Sequence, residues 1–256
     1  MAKPDFHMET YNRLLQAVLE KGYSFQTYRD FSRDPQQNVV IMRHDVDRKP
    51  GNALKMAEME QRLGISACYY FRIVKESWNE SIIKAIAALG HEIGYHYEDL
   101  ALAGGNTEKA IAGFEQNLEK LRRLSPVTTM CMHGSPMSRW DNRSLWESYD
   151  YKGYGIIAEP YFDLDFNEIL YITDASRSWD GGSFTVRDKV ESNYDYRFKT
   201  TDDIVRSFDL SQMPARIMIN VHPHNWSAAL PEWFKVRITQ ALKNQVKRRL
   251  VRRGNK

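Results

Sequence analysis

The chain has 256 residues, of which 42% are hydrophobic, so it is long enough for one large domain with a sizeable core. Its net charge of +3 comes from the C-terminal end: residues 235–256 hold nine Lys or Arg and no acid, whereas residues 1–234 carry 33 acidic and 27 basic side chains. A body with a net charge of −6 repels a phosphate backbone, which argues against a nucleic-acid-binding protein.

The sequence shows no sign of export or of membrane insertion. The N-terminal residues lack the apolar stretch of a secretion signal, and no run of about 18 apolar residues occurs in the chain. The two cysteines, Cys68 and Cys131, lie in apolar segments and are expected to be buried thiols. These features predict a soluble, cytoplasmic protein without a disulfide framework.

Segments with strand and helix patterns alternate along the chain. Seven predicted strands, most of them apolar on both faces, cover residues 38–45, 66–73, 92–96, 128–133, 153–159, 168–174 and 216–222. Helices are predicted over 50–63, 80–89 and 107–124, where Pro begins or Gly or Pro follows the helical pattern. The segment 179–198 is rich in Gly, Ser, Asp and Tyr and predicts a long loop.

This alternation predicts an α/β fold, either a (β/α) barrel or an open, doubly wound sheet. Neither a dinucleotide-binding glycine motif nor a phosphate-binding loop follows any predicted strand, which weakens the doubly wound alternative. We expect residues 1–234 to form a single domain and residues 235–256 to form a basic C-terminal helix or tail.

Metal-binding and acid–base side chains collect at the ends of the predicted strands. They are His44, Asp45, Asp47, His96, Glu98, His133, Asp174, His222 and His224. Because the carboxyl ends of parallel strands lie at one face of the domain, these side chains are expected to converge there. The pattern therefore predicts a functional site at that face.

Imidazole and carboxylate groups together suit Zn²⁺, and also Fe²⁺, Co²⁺ or Mn²⁺. A catalytic site needs about three protein ligands and an open position, with a carboxylate as base and a histidine as acid nearby. Asp45 and Asp47 are two residues apart, so one can hold the metal while the other accepts the proton. Two structural alternatives stay open: the aspartates cap the helix that begins at Pro50, or His44 and Asp45 form a hydrogen-bonded pair.

Five motifs, taken in order, resemble the polysaccharide deacetylase superfamily (NodB homology, carbohydrate esterase family 4). They are RHDVD (43–47), GHEIGYH (90–96), MCMHGSP (130–136), YITDASRSW (171–179) and INVHP (219–223). The resemblance implies a distorted (β/α)₇ barrel, with Asp45 as catalytic base, Asp47 and His96 as metal ligands, and His222 as general acid. It also implies that Asp174 and an aromatic residue line the substrate groove.

The chain departs from the family pattern at two of these motifs. The family's second metal histidine would fall at Leu100, which cannot bind a metal. Glu98 or His133 is then the third ligand, with zinc as the first choice of metal and iron, cobalt, nickel or manganese as alternatives. His133 also stands where the third motif usually has an arginine. If no residue replaces the missing ligand, the alternative is a non-catalytic glycan-binding or scaffold protein of the same fold.

The resemblance implies hydrolysis of an N-acyl group, such as N-acetyl, on a sugar. For a cytoplasmic protein the substrate would be a nucleotide-linked or lipid-linked precursor of a surface polysaccharide. Trp179 and Trp226 are candidates for stacking on sugar rings, and ordinary packing in the core is the alternative for each. In the tail, Ile238, Leu242, Val246 and Leu250 recur every four residues among Lys and Arg, which predicts an amphipathic helix. It would either contact an anionic membrane surface or pack on the barrel.

Overall fold

The computed structural model of the chain describes residues 4–179 and 190–239. The strands are β1 (Ser24–Phe25), β2 (Val39–Val46), β3 (Cys68–Phe71), β4 (Glu92–Tyr97), β5 (Met130–Met132), β6 (Leu170–Thr173) and β7 (Arg216–Val221). The helices are α1 (Met8–Glu20), α2 (Tyr28–Arg33), α3 (Pro50–Arg62), α4 (Glu80–Ala88), α5 (Asp99–Leu102), α6 (Thr107–Arg122), α7 (Pro160–Asp163) and α8 (Thr201–Asp209).

All strands run parallel in one sheet with the order β5-β4-β3-β2-β7-β6, and β1 pairs with the beginning of β2. The sheet curls into a half-barrel surrounded by helices, and among the described strands β5 and β6 do not pair with each other. The structure thus confirms the α/β class and the distorted barrel. It places the carboxyl ends of all strands at one face.

Side chains on the two faces of the sheet enter two separate hydrophobic clusters. On β2, Val40 and Met42 join the large outer cluster beneath the helices, whereas Val39 and Ile41 join a small inner cluster with Tyr28 and other residues of the barrel interior. Because side chains alternate along a strand, Arg43 and Asp45 extend the inner row towards the carboxyl end. On its inner face, β2 therefore has two apolar residues followed, towards its carboxyl end, by a charged pair.

The predicted strand over 153–159 is wrong. Residues Tyr151–Tyr154 form a 3₁₀ turn, Gly155 has a φ of +71°, and only Ala158 makes an isolated bridge, to Thr129. After this bridge, the side-chain carboxylate of Glu159, and not a backbone carbonyl, accepts the backbone N–H of Met132 at 3.0 Å. The other six predicted strands are confirmed, and the two-residue strand β1 was not predicted.

The three predicted helices are confirmed as α3, α4 and α6, each ending one or two residues earlier than predicted. Of the predicted loop over 179–198, the described part 190–198 contains no regular element. Residues 230–239 are helical, so a helix crosses the predicted domain boundary at 235. Leu242, Val246 and Leu250, on which the amphipathic tail depends, lie outside the described residues. No helix in the described part of the chain is long and apolar enough to cross a membrane.

Candidate active site

Asp45 lies at the carboxyl end of β2 and is only 1% exposed. The guanidinium of Arg43, two residues earlier on the same face, donates to both carboxylate oxygens, from Nε to Oδ1 at 2.9 Å and from Nη2 to Oδ2 at 2.6 Å. Asn220 on the neighbouring strand β7 donates its Nδ2 to Oδ2 at 3.1 Å. These three bonds fix the carboxylate of Asp45 in one orientation.

The electrostatics of Asp45 are set by opposing effects. Burial by itself would raise the pKa of the carboxyl, but the positive charge of Arg43 and the nearby imidazoles of His96 and His222 lower it to about 2. Asp45 is therefore ionised at neutral pH. Its Oδ2 lies 3.8 Å from Nε2 of His96 and 3.9 Å from Nε2 of His222, so it faces both histidines across the site.

Three side chains on three different strand ends direct ligand atoms at one another. Asp47 Oδ1, which follows β2, lies 3.4 Å from Nε2 of His96 on β4 and 3.6 Å from Nε2 of His133 after β5. Their ligand atoms all fall within 4.8 Å of one another. Asp47 and His133 are partly exposed, so this cluster is open to the face of the barrel.

The donor set fits a divalent metal, because each of the three atoms has a lone pair that a cation can accept. Nδ1 of His96 lies 2.9 Å from the carbonyl oxygen of Cys131, and Nδ1 of His133 lies 2.8 Å from Glu98 Oε2. Both Nδ1 atoms must carry the hydrogen, which leaves a lone pair on each Nε2 of the neutral rings. Oδ1 of Asp47 is buried and has no hydrogen-bond partner. Two imidazoles and a carboxylate with room for water are the donors of a catalytic zinc site.

The cluster also favours positive charge. Burial would lower the pKa of His96, but the carboxylates of Asp45 and Asp47 raise it above its ordinary value. A proton or a metal cation at this position relieves the same repulsion between carboxylates.

Glu98 lies behind His133 and outside the ligand cluster. Its two oxygens accept from Arg72 at 2.7 and 2.8 Å, and Oε2 also faces Nδ1 of His133. Of the two residues predicted as the third ligand, the structure therefore brings His133 beside Asp47 and His96, whereas Glu98 contacts His133 from behind. Leu100, at the position of the family's second histidine, is 3% exposed and belongs to the outer hydrophobic cluster.

His222 follows β7 and is held by Asp174, which follows β6. Asp174 Oδ1 accepts from Nδ1 of His222 at 2.7 Å and from its backbone N–H at 2.9 Å, while Oδ2 accepts from Nε1 of Trp226 at 2.8 Å. Burial would lower the pKa of His222, but the hydrogen bond and charge of Asp174, helped by Asp47 and Asp45, raise it to about 10. The imidazole is therefore protonated at neutral pH and presents Nε2–H towards Asp45.

The structure corrects three predicted substrate contacts. Asp174 is fully buried, and its two carboxylate oxygens are hydrogen-bonded to His222 and Trp226, so they are not available to a sugar. Trp226 is 0% exposed and its ring packs edge-on against Phe6 and Tyr11. Trp179 is 4% exposed, lies in the outer cluster, and donates Nε1 to Thr201. Both indoles therefore pack in the protein core.

The other predicted site histidines occupy different places. His44 points away from the site into the outer layer, where its Nε2 lies 2.6 Å from Glu60, so it does not pair with Asp45. His224 lies beside His222, with ring centres 5.7 Å apart, and its buried Nδ1 has no hydrogen-bond partner. The predicted capping role of Asp45 and Asp47 is not realised, because α3 begins after Lys49 without a side-chain cap.

Three positioning residues were not predicted: Arg43, Arg72 and Asn220. Each carries a signal that can be seen in the sequence. Arg43 and Asn220 are polar residues inside apolar strands, two positions before Asp45 and His222, and therefore on the same strand faces as those residues. Arg72 directly follows the apolar run of β3 at the face where the other strand ends converge.

Comparisons with known proteins yield similarities in structure only. No family model and no curated protein sequence matches the chain. Among solved structures, a carbohydrate esterase of family 4 from Streptococcus mutans is similar, with a TM-score of 0.47, 16% identity, and coverage of 91% of this chain and 90% of that chain. A family 4 carbohydrate esterase from Bacillus anthracis gives a TM-score of 0.43 at 11% identity, over 90% of this chain and 85% of that one.

A family 4 pseudoenzyme from Bacillus anthracis is also similar, with a TM-score of 0.42 and 12% identity, over 80% of this chain and 60% of that chain. All three similarities are remote. The chemistry of the site is therefore inferred from its own residues.

Proposed function

We propose that the chain is a metal-dependent hydrolase that removes an N-acyl group, such as N-acetyl, from a sugar. One observation carries the proposal: Asp47, His96 and His133 aim three acceptor atoms at one point, between an ionised Asp45 and a protonated His222. Zinc is the metal we expect first, because two imidazoles and a carboxylate are its usual catalytic donors; iron, cobalt, nickel and manganese share this preference in part. When bound, the metal would polarise the acyl carbonyl and acidify a water molecule.

The two flanking residues have opposite protonation states, as acid–base catalysis of amide hydrolysis requires. Asp45 Oδ2 accepts the proton of the attacking water, and the bidentate contact with Arg43 keeps the carboxylate aimed at the site. His222 donates the Nε2 proton to the departing sugar nitrogen as the C–N bond breaks. Asp174 holds the ring and stabilises its positive charge throughout.

The proposal is tested by metal content and hydrolysis measured on the same preparations. We expect about one divalent metal ion per wild-type chain, and loss of at least tenfold in affinity in Asp47→Asn and His133→Gln. Glu98→Gln should weaken affinity roughly 10- to 100-fold, because second-layer partners of a metal histidine have effects of that size. The matched control is Glu92→Gln: Glu92 is a buried glutamate at the beginning of β4 that faces Thr129 and Cys68, whereas Glu98 follows the end of that strand.

Folded wild-type protein that takes up no metal would refute the proposal and favour the non-catalytic alternative, a scaffold or glycan-binding protein. Metal-loaded protein should release acetate from N-acetylated sugar substrates, and Asp45→Asn should stop this release while the metal stays bound. A screen of free, nucleotide-linked and lipid-linked N-acetyl sugars would identify the precursor that we expect in surface polysaccharide synthesis in the cytoplasm.

Peripheral membrane contact through the basic tail remains a part of this proposal. Leu230, Phe234 and Ile238 are exposed along one side of the helical segment 230–239, and Lys235 and Arg237 are exposed beside them. We expect the full chain to float with vesicles that contain anionic lipid, and a chain that ends at Leu242 to float less. Equal flotation of the two would remove the membrane contact.

A further inference from the structure

Arg177, three residues after Asp174, has a charge that nothing in the described structure neutralises. Its three guanidinium nitrogens, Nε, Nη1 and Nη2, are buried and have no hydrogen-bond partner among the described residues. The guanidinium carbon lies 5.3 Å from the ring centre of Phe6 and 5.0 Å from that of Trp233. Aromatic rings stabilise the faces of a guanidinium, but its five N–H donors point outwards in the plane and need acceptors.

The two described acids whose charges act on Arg177 are already engaged. Asp5 accepts from Thr201, through both its hydroxyl and its backbone N–H, and from the backbone N–H of Phe6 at 3.0 Å. Asp174 accepts from His222 and Trp226. Neither carboxylate comes within ion-pair distance of Arg177, although both raise its pKa. A buried charge with unmade hydrogen bonds is costly, so its presence points to an absent partner.

The backbone holds Arg177 in this place at an energetic cost. Ser176 and Arg177 have φ values of +59° and +60°, in the left-handed region that non-glycine residues rarely adopt. Strain of this kind persists where the surroundings fix the chain, and it is common at ligand sites. Here the N–H of Arg177 bonds to the carbonyl of Asp174 at 2.9 Å, which ties the arginine to the residue that orients His222.

A second arginine lies beside the same indole. The guanidinium carbon of Arg237, on the helical segment 230–239, is 5.1 Å from the ring centre of Trp233. Burial lowers the pKa of Arg177 to about 10, and the like charge of Arg237 contributes to the lowering. The like charges of these two guanidinium groups repel each other, and a bound anion would relieve that repulsion.

We propose that Arg177 and Arg237, beside Trp233, form a binding site for the oxyanion of a phosphate or diphosphate group. Arginine donates two parallel hydrogen bonds to such a group, which matches the donors that Arg177 leaves unused. If the proposed function holds, the anion is the phosphate of an N-acyl sugar carried on a nucleotide or a lipid. Anion binding itself does not depend on hydrolysis.

The test is titration of the full chain with inorganic phosphate and pyrophosphate by calorimetry. We expect saturable binding of pyrophosphate, at least tenfold weaker in Arg177→Gln and several-fold weaker in Arg237→Gln. The control is Arg197→Gln, because Arg197 is 83% exposed and, within the described part of the chain, forms an ion pair with Asp195 alone. Since pyrophosphate also binds metal ions, the series is repeated in Asp47→Asn, where we expect the same ranking without the metal.

No saturable binding to wild type would overturn the proposal, as would equal affinities in Arg177→Gln and Arg197→Gln. If Arg177→Gln does not fold, Arg177→Lys replaces it in the test. Lysine keeps the positive charge but lacks the two parallel N–H donors of the guanidinium, so pyrophosphate binding should weaken several-fold. Unchanged affinity in Arg177→Lys would count against the site. Pyrophosphate binding in a protein without metal or activity would leave this inference standing while the proposed function fails.

Vesicles distinguish the two sources of the phosphate group. If a lipid phosphate is the ligand, Arg177→Gln should bind less to vesicles with a phosphate-headgroup anionic lipid, and Arg197→Gln should not. If the ligand is soluble, pyrophosphate affinity should respond to Arg177→Gln and vesicle binding should not.

Discussion

At the scale of single residues, two buried ion pairs flank the proposed chemistry. Arg43 holds Asp45 through two hydrogen bonds, and Asp174 holds His222 through two more. The first pair keeps a carboxylate ionised, and the second keeps an imidazole protonated. The two pairs thus assign opposite roles to neighbouring groups, and each can be tested by removing one partner.

Asp174→Asn should shift the pH dependence of activity. The variant loses the negative charge that raises the pKa of His222 to about 10, so the imidazole will deprotonate at a lower pH. We expect the alkaline limb of kcat/KM to move down by more than one pH unit, with an activity loss of roughly 10²-fold or more at pH 9, the size expected for a lost general acid. A pH–rate profile checks this, and an unchanged alkaline limb would exclude His222 as the acid.

The same pair makes a stability prediction. The folded-state pKa of His222, about 10, exceeds the unfolded value near 6.5, so its stabilisation is complete below pH 6.5 and is lost as the pH rises through 10. Asp174→Asn should therefore destabilise the protein more at pH 7 than at pH 10. Urea denaturation at the two pH values measures the difference.

Arg43→Met should destabilise the fold by about 3–5 kcal/mol, because it leaves the buried carboxylate of Asp45 unpaired. The double variant Arg43→Met/Asp45→Asn should recover more than half of that loss. The control is Arg143→Met, since Arg143 pairs with Asp141 across the same two-residue spacing but at 34% and 29% exposure; we expect about 1 kcal/mol or less. Urea denaturation measures the free energy of unfolding of the three variants. A double variant as unstable as Arg43→Met would argue against the unpaired charge of Asp45 as the cause of the loss.

At the scale of elements, β4 depends on a glycine that faces the barrel interior. A Cβ at Gly94 would clash with the ring of Tyr70 on β3, so the close approach of the two strands here depends on glycine. The hydroxyl of Tyr70 makes a 3.0 Å hydrogen bond with Thr129, which restrains the ring. Gly94 lies two residues before His96 and therefore on the same face of β4.

Gly94→Ala should therefore cost about 1–3 kcal/mol through overpacking. Gly113→Ala in α6 is the matched control: its Cβ would meet only Asp99 Oδ1 at 3.6 Å, so the better helix propensity of alanine should add roughly 0.5–1 kcal/mol. Thermal unfolding compares the two variants. Equal effects would mean that the barrel interior can yield at Gly94.

At the scale of the whole molecule, β5 and β6 are the two ends of the strand order in the described sheet, and Glu159 lies against β5. Its carboxylate is fully buried and faces the backbone N–H of Met132, the hydroxyl of Tyr97 and the backbone N–H of Tyr161. Burial raises the pKa of Glu159 to about 7, although the backbone hydrogen bonds and the charge of Arg43 act to lower it. The end strand of the sheet thus contacts a buried, titratable side chain.

Glu159→Gln should make stability less sensitive to pH between 5 and 8. Because the folded-state pKa of this acid exceeds its unfolded value near 4.5, wild type binds an extra proton when folded and loses stability as the pH rises from about 4.5 through 7. The variant lacks this loss, so its stability relative to wild type should rise from pH 5 to pH 8. Urea titrations at both pH values measure the trend, and a difference that does not change with pH would contradict it.

The sequence predicted most of the site because strand ends are visible in it. Asp45, Asp47, His96, His133 and His222 each follow or end an apolar run, and parallel strands must bring such ends to one face. The sequence left open whether Trp179 and Trp226 contact a sugar or pack in the core, because an indole in a loop pattern gives no sign of whether the core covers it; the structure buries both. The predicted strand over 153–159 was wrong because its backbone bonds to the β5 side are limited to Ile157 and Ala158, after which the carboxylate of Glu159 accepts the N–H of Met132.

The amino-acid sequence by itself determined the α/β class, the order of strands and helices, and the chemistry at the strand ends, because these depend on local patterns of apolar and polar residues. Only the tertiary structure placed His133, and not Glu98, beside Asp47 and His96, since the carboxylate of Glu98 pairs with Arg72. It also placed Asp174 against His222 and left Arg177 without a hydrogen-bond partner among the described residues. Those outcomes depend on distances between residues far apart in the chain, which no local pattern contains.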